Sequence, residues 1–170
     1  FSLAAATPSG CCGSALSAPV NDECPGALTL HAGENRTTNL AATDSAPAIP
    51  PSCTILTSDV WFTYTYTSYT QPTPCPGFIT FDTCGSEVPT TIAVYASCPS
   101  GSGAETACGM YGSHATCPGP APAALASVPA VEGATYYIRV GSPGGAMGTH
   151  SNIVVTVTPP FCVPPNGACC

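Results

Sequence analysis

Asp59-Val-Trp-Phe-Thr-Tyr-Thr-Tyr-Thr67 decides the fold class of this chain. On an extended backbone Val60, Phe62, Tyr64 and Tyr66 fall on one side, and Trp61, Thr63, Thr65 and Thr67 on the other. Alternation of aromatic and β-branched residues with a period of two is a strand signature. A face lined with threonine tolerates water, so this strand is expected to cover a core on one side only. Strands of the same kind follow at 77–83, 90–96, 134–141 and 152–158. The third of these groups Tyr136, Ile138 and Val140 on one face, and the last groups Ile153, Val155 and Val157. Weaker strands are expected at 27–31, 36–40 and 52–56. The chain holds 20 prolines and 17 glycines, which suits turns, and no segment sustains a 3.6-residue apolar period. The expectation is an all-β, two-sheet antiparallel sandwich, jelly-roll-like and disulfide-rich, with extended N- and C-terminal arms.

The 170 residues suit one domain of ordinary size. Residues 21–158 form the expected sandwich, preceded by an arm at 1–20 and followed by a Pro- and Cys-rich tail at 159–170. The longest apolar-looking stretch, 118–131, is broken by Pro118, Pro120, Pro122 and Pro129 and cannot make a membrane helix. The chain opens at Phe1 without a basic, apolar leader, which reads as a mature secreted chain.

Two basic residues, Arg36 and Arg139, face nine acids, giving a net charge of −7. Only 6% of residues are charged, about a quarter of the usual share. Such a chain cannot neutralise a phosphate backbone or a polybasic-seeking membrane surface, which excludes nucleic acid and electrostatic membrane binding. Its 44% hydrophobic content excludes wholesale disorder.

The twelve cysteines are Cys11, Cys12, Cys24, Cys53, Cys75, Cys84, Cys98, Cys108, Cys117, Cys162, Cys169 and Cys170. No Cys-x-x-Cys occurs, which argues against zinc ribbons and thioredoxin-type sites. An even count without metal spacing predicts disulfides formed in an oxidising compartment, outside the cell or on its surface. Proximity along the chain suggests Cys24 with Cys53 and Cys98 with Cys108. The doublets Cys11-Cys12 and Cys169-Cys170 each need two separate partners, because a bridge between neighbours strains the joining peptide. They either pin the termini to the domain or cross-link neighbouring subunits.

Asn21-Asp-Glu-Cys-Pro25, Ser58-Asp-Val-Trp-Phe-Thr-Tyr64, Phe81-Asp-Thr-Cys-Gly85, Thr91-Ile-Ala-Val-Tyr95 and Tyr136-Tyr-Ile-Arg-Val-Gly141 occur in this order. The series resembles a β-sandwich domain of secreted and surface proteins of environmental bacteria, planctomycetes among them. It is also similar to the bacterial pre-peptidase C-terminal domain, a jelly-roll-like accessory module. The resemblance covers about four-fifths of the chain, from 21 to 158, and implies a fold and an extracellular role rather than an activity. Relatives often carry an acidic Cys-Asn-Asp-Asp-x-Cys stretch. Here Cys108-Gly-Met-Tyr-Gly-Ser-His-Ala-Thr-Cys117 stands in its place without the carboxylates of a calcium site.

His31, His114 and His150 are scattered, and neither His-Glu-x-x-His nor Gly-x-Ser-x-Gly occurs. No catalytic residue, cofactor site or metal site is therefore expected. Asp22-Glu23 reads as a strand-entry turn or a cation ligand pair at the mouth of the sandwich. Arg139 lies in a core strand and needs a carboxylate partner, Asp59 or Asp82. Trp61, Tyr64, Tyr66, Tyr69, Tyr136 and Tyr137 read as core packing or as a sugar-stacking platform. Asn35-Arg-Thr37 is an N-glycosylation sequon, with Asn35 as the possible acceptor on a hairpin turn.

Two functional expectations follow. The first is a structural subunit of an extracellular filament or surface assembly. Its arm Phe1-Ser-Leu-Ala-Ala5 alternates, so that Phe1, Leu3 and Ala5 can dock as a strand in a second copy of the chain. The second is a secreted accessory module that binds carbohydrate or protein, with glycans as partners.

Overall fold

The computed structural model describes residues 16–45, 54–68, 77–99, 105–144 and 151–161. Phe1, Leu3, Ala5, Cys11, Cys12, Cys53, Tyr69, Cys75, His150, Cys162, Cys169 and Cys170 lie outside the described residues. After a short 3-10 turn at Cys24–Gly26 come β1 (Leu28–Thr29), β2 (Gly33–Thr38), β3 (Leu56–Thr65), β4 (Phe78–Asp82) and β5 (Thr91–Tyr95). Then follow β6 (Ala107–Gly109), β7 (Leu125–Pro129), β8 (Thr135–Pro143) and β9 (Asn152–Thr158).

The strands form two sheets, β1-β3-β8-β5-β6 and β2-β9-β4-β7. From β2 to β9 the chain crosses between sheets at every step except β5 to β6, which is the winding of an eight-stranded jelly roll. The antiparallel expectation holds for every pair in this roll. β1 is an addition to it, paired in parallel with β3 through Leu28↔Phe62 and Thr29↔Thr63.

Alternation along β3 sends Val60, Phe62 and Tyr64 into the space between the sheets. They meet Ile79 and Phe81 of β4, Ile138 of β8 and Ile153 of β9 there, and the Tyr64 and Phe81 rings pack edge to face at 5.9 Å. The opposite face of β3 departs from the expectation. Trp61 is fully buried on it, in a second cluster with Cys24, Leu56, Ala93 and Tyr95. The segment that carries Cys24 and Ala27 roofs this outer face, while Thr63, Thr65 and Thr67 remain partly or wholly exposed.

Two strands escaped the sequence reading. β7 lies inside the proline-interrupted stretch, with Ala126 and Val128 facing inward and Pro129 at its end. A proline is tolerated there because β7 is the edge of its sheet. β6 is only three residues long. Of the strand expected at 52–56, residues 52 and 53 lie outside the described residues, Thr54 and Ile55 are irregular, and Leu56 begins β3.

Candidate functional site

The two flanks of the sandwich differ. On one flank β6 and β7 close the gap between the sheets. A Cβ on Gly109 would lie 2.2 Å from the Leu125 carbonyl oxygen, so only glycine permits this approach. On the other flank β1 and β2 are the outer strands. A cavity of about 160 Å³ lies between them, lined by Leu28, Leu30, Asn35, Arg36, Thr37 and Phe62, with Thr29 at its rim.

The chemistry of β2 explains why this flank is open. Its sequence Gly-Glu-Asn-Arg-Thr-Thr alternates, but the half-buried positions are Asn35 and Thr37 rather than apolar residues. The strand therefore contributes little to the apolar core, and its outer backbone edge is left without a strand partner among the described residues. Asn35 fixes the preceding turn: its Oδ1 accepts from the His31 N–H at 3.0 Å, and its Nδ2 donates to the carbonyls of His31, Gly33 and Val155 at 2.9, 3.0 and 3.1 Å. A glycan on Asn35 would displace these bonds. Leu30 and Phe62 form the apolar floor, and Leu28 is left 41% exposed at the mouth.

Beneath the roof of the other sheet lies a buried polar network. Arg139 donates from Nε to Asp59 Oδ2 at 2.7 Å and from an Nη to Asp59 Oδ1 at 2.9 Å. The same Nη reaches the Ser45 carbonyl at 2.8 Å. Ser45 donates its hydroxyl to Asp59, and the Trp61 indole donates to that hydroxyl at 2.9 Å. The guanidinium stacks 5.4 Å from the Trp61 ring. A bulge between Thr57 and Val60, with Ser58 at φ 49°, turns Asp59 toward Arg139. Of the two partners anticipated for Arg139, Asp59 is the one bonded; Asp82 instead accepts from the Cys84 N–H at 3.0 Å.

These groups are closed to solvent, so the network ties the roof to the sheet rather than offering a ligand site. Asp22 has a similar task, accepting from the backbone N–H and hydroxyl of Thr43 at 2.6 and 2.7 Å. Burial, then the neighbouring charge of Asp22, raises the Glu23 carboxyl above its ordinary value. Burial likewise pushes the Tyr95 hydroxyl up beside this network. Trp61, Tyr64, Tyr66 and Tyr136 are all buried, which removes them from any sugar-stacking platform.

The disulfides correct the pairing expected from proximity. Cys24 bonds Cys98 rather than Cys53, and Cys98 is therefore not bonded to Cys108. Seventy-four residues separate the partners, but the roof lies over β5, which delivers Cys98 to it. Cys84 bonds Cys117, and Cys108 is also in a disulfide. His114 lies beside Cys84 and Cys117, with one of its ring nitrogens and both sulfurs mutually within 4.8 Å. Sulfurs joined in a bridge are not thiolates, so this trio cannot ligate a metal while the bridge is closed.

No helix of the described residues is long and apolar enough to cross a membrane. Comparison of the chain with protein-family models, with curated proteins and with solved structures finds no match.

Proposed function

We propose that this chain is a non-enzymatic structural subunit of an extracellular assembly, joined head to tail by strand donation and hardened by disulfides. The observation that carries this reading is the contrast between the flanks: one closed by β6 and β7, the other presenting a β2 edge without a strand partner among the described residues, beside a pocket that holds Leu28, Leu30 and Phe62. An apolar cavity of about 150 Å³ holds one benzene molecule, so a pocket of about 160 Å³ has room for a single phenyl ring. Phe1 supplies such a ring at the head of an alternating arm.

The eight-stranded roll is complete, so the donor does not replace a missing internal strand as donor-strand systems of incomplete sandwiches would require. It adds beside β2, where Phe1 or Leu3 can reach Leu28, Leu30 and Phe62. If extended, the ten residues 9–18 ahead of the turn at Pro19–Asp22 would span roughly 33 Å, which would allow the arm to reach a neighbour. Arm on one side and pocket on another make a heterologous contact, which grows open polymers.

Two variants test this. Deleting residues 1–8 removes the donor, and Leu28→Asp places a charge at the pocket mouth on a half-exposed side chain that the fold does not need. By sedimentation velocity without reductant, each variant alone is expected to run as a folded monomer while the full chain polymerises. Mixed, they are expected to give a dimer and stop. Polymerisation of the truncated chain, or failure of the mixture to pair, would overturn the proposal.

A further inference from the structure

We propose that the Cys84–Cys117 disulfide is a thiol-exchange site, opened by external dithiols and reclosed by their disulfide forms, with His114 stabilising the departing thiolate while the fold around it stays intact.

The bridge is placed for access. Cys84 sits in the turn after β4, and Cys117 in the long connection between β6 and β7; both residues are partly exposed. Cys24–Cys98 has the opposite setting, with Cys24 buried against Trp61 and Tyr95.

The chemistry at the bridge is asymmetric. The Asp82 carboxylate lies against the Cys84 backbone and disfavours a second negative charge on that residue. The His114 ring reaches both sulfurs, and its backbone is tied to Cys117, three residues later in the same turn, whose N–H donates to the His114 carbonyl at 3.2 Å. His114 Nδ1 is shielded from solvent and has no hydrogen-bond partner, so its capacity is unspent. An imidazole in this position lowers the energy of a neighbouring thiolate.

A dithiol is the co-reactant. Its thiolate attacks Cys84 Sγ, the Cys84–Cys117 bond breaks, and the electron pair leaves on Cys117 as a thiolate paired with His114. The second thiol of the reagent, deprotonated, then attacks its own sulfur in the mixed disulfide. Cys84 departs and takes a proton from solvent. The reagent ends as a cyclic disulfide and the protein as two thiols, a balanced two-electron exchange.

The loops that carry the two cysteines are held without the bridge. The Thr83 N–H donates to the Ala124 carbonyl at 3.0 Å, and the Ala124 N–H donates to the Thr83 hydroxyl at 2.8 Å. The Thr83 and Thr90 hydroxyls bond each other, and the Gly112 and His114 N–H groups donate to the Ala123 carbonyl at 2.8 and 3.3 Å. The reduced sulfurs therefore stay within reach of each other and can rejoin by the reverse exchange with the oxidised, disulfide form of the reagent.

The test is timed reduction of the full chain with limiting dithiothreitol, quenched by alkylation and read by peptide mass spectrometry. Cys84 and Cys117 are expected to be alkylated at least about tenfold faster than Cys24 and Cys98. A leaving thiol of lower pKa leaves faster, so His114→Ala should slow the opening about tenfold. His114→Lys, which places a cation at this position, should recover the rate. A purely structural His114 would give the opposite sign, because loosening the turn speeds opening. The proposal is overturned if Cys84–Cys117 opens no faster than Cys24–Cys98, if His114→Ala leaves or raises the rate, or if Trp61 fluorescence shows unfolding when this bridge alone is open.

Discussion

Replacing Asp59 by asparagine removes one charge and almost no volume, and it strikes the network that fastens the roof to the sheet. Asp59 is wholly buried and Arg139 only 2% exposed. In the wild type the carboxylate accepts two hydrogen bonds from the guanidinium and two from Ser45. The variant leaves the guanidinium charge buried opposite a neutral amide, and the amide NH₂ faces the Nε or Nη donors or the Ser45 N–H. Breaking a buried pair by removing one partner costs about 3–5 kcal/mol. Whole-domain stabilities run about 5–15 kcal/mol, so this is a large share. For a domain of this size the melting temperature should fall by roughly 6–20 °C. Thermal and guanidinium unfolding without reductant, followed by near-UV circular dichroism of Trp61, reads the effect. The double variant Asp59→Leu with Arg139→Met replaces the pair by apolar volume and should recover at least half of the loss, since such exchanges are often neutral or stabilising. A loss below about 1 kcal/mol in Asp59→Asn, or a double variant no better than the single, would refute the reasoning.

Further outcomes follow from other sites. Gly109→Ala forces a methyl onto the Leu125 carbonyl, so β6 and β7 must part; a loss of about 1–3 kcal/mol in chemical denaturation is expected, with faster amide exchange confined to these two strands. Asn35→Ala deletes the bonds that fix the β1–β2 turn and should cost about 1–2 kcal/mol, with amide exchange rising along β2. The Glu87 carboxyl is held below its ordinary value of 4.5 by bonds from the Ser151 hydroxyl and the Asn152 amide. Its contribution is thus full above 4.5 and lost as pH falls through the lowered folded value. Melting curves should show Glu87→Gln less stable than wild type at neutral pH, with the gap closing as pH falls below 4.5; a gap constant with pH would contradict this.

Alternation made the long strands legible. Tyr136, Ile138 and Val140 in β8, and Ile153, Val155 and Val157 in β9, occupy the core as their spacing demands. β6 could not be found this way, because three residues carry no period; close approach at Gly109 and a disulfide at Cys108 hold it. Trp61 was read on a water-tolerant face because the sequence does not say what packs above a sheet. The roof is a long-range event, fixed by the Cys24–Cys98 bond and by the Asn21 amide donating to the Trp61 carbonyl at 3.1 Å. Chain proximity misassigned Cys24 and Cys98 for the same reason: the winding of the roll, not loop length, chooses the partner. A carboxylate partner for Arg139 was demanded by charge alone, but choosing Asp59 over Asp82 needed the bulge at Ser58. The open flank has a faint trace in sequence, since β2 offers Asn35 and Thr37 where the other strands offer valine and isoleucine.

Electron cryomicroscopy of the full chain, assembled without reductant, tests strand donation most directly. The account predicts a polymer in which residues 1–8 of one copy run beside β2 of the next, with an arm side chain seated among Leu28, Leu30 and Phe62. Monomers only, or a polymer whose arm packs on its own domain, would contradict it.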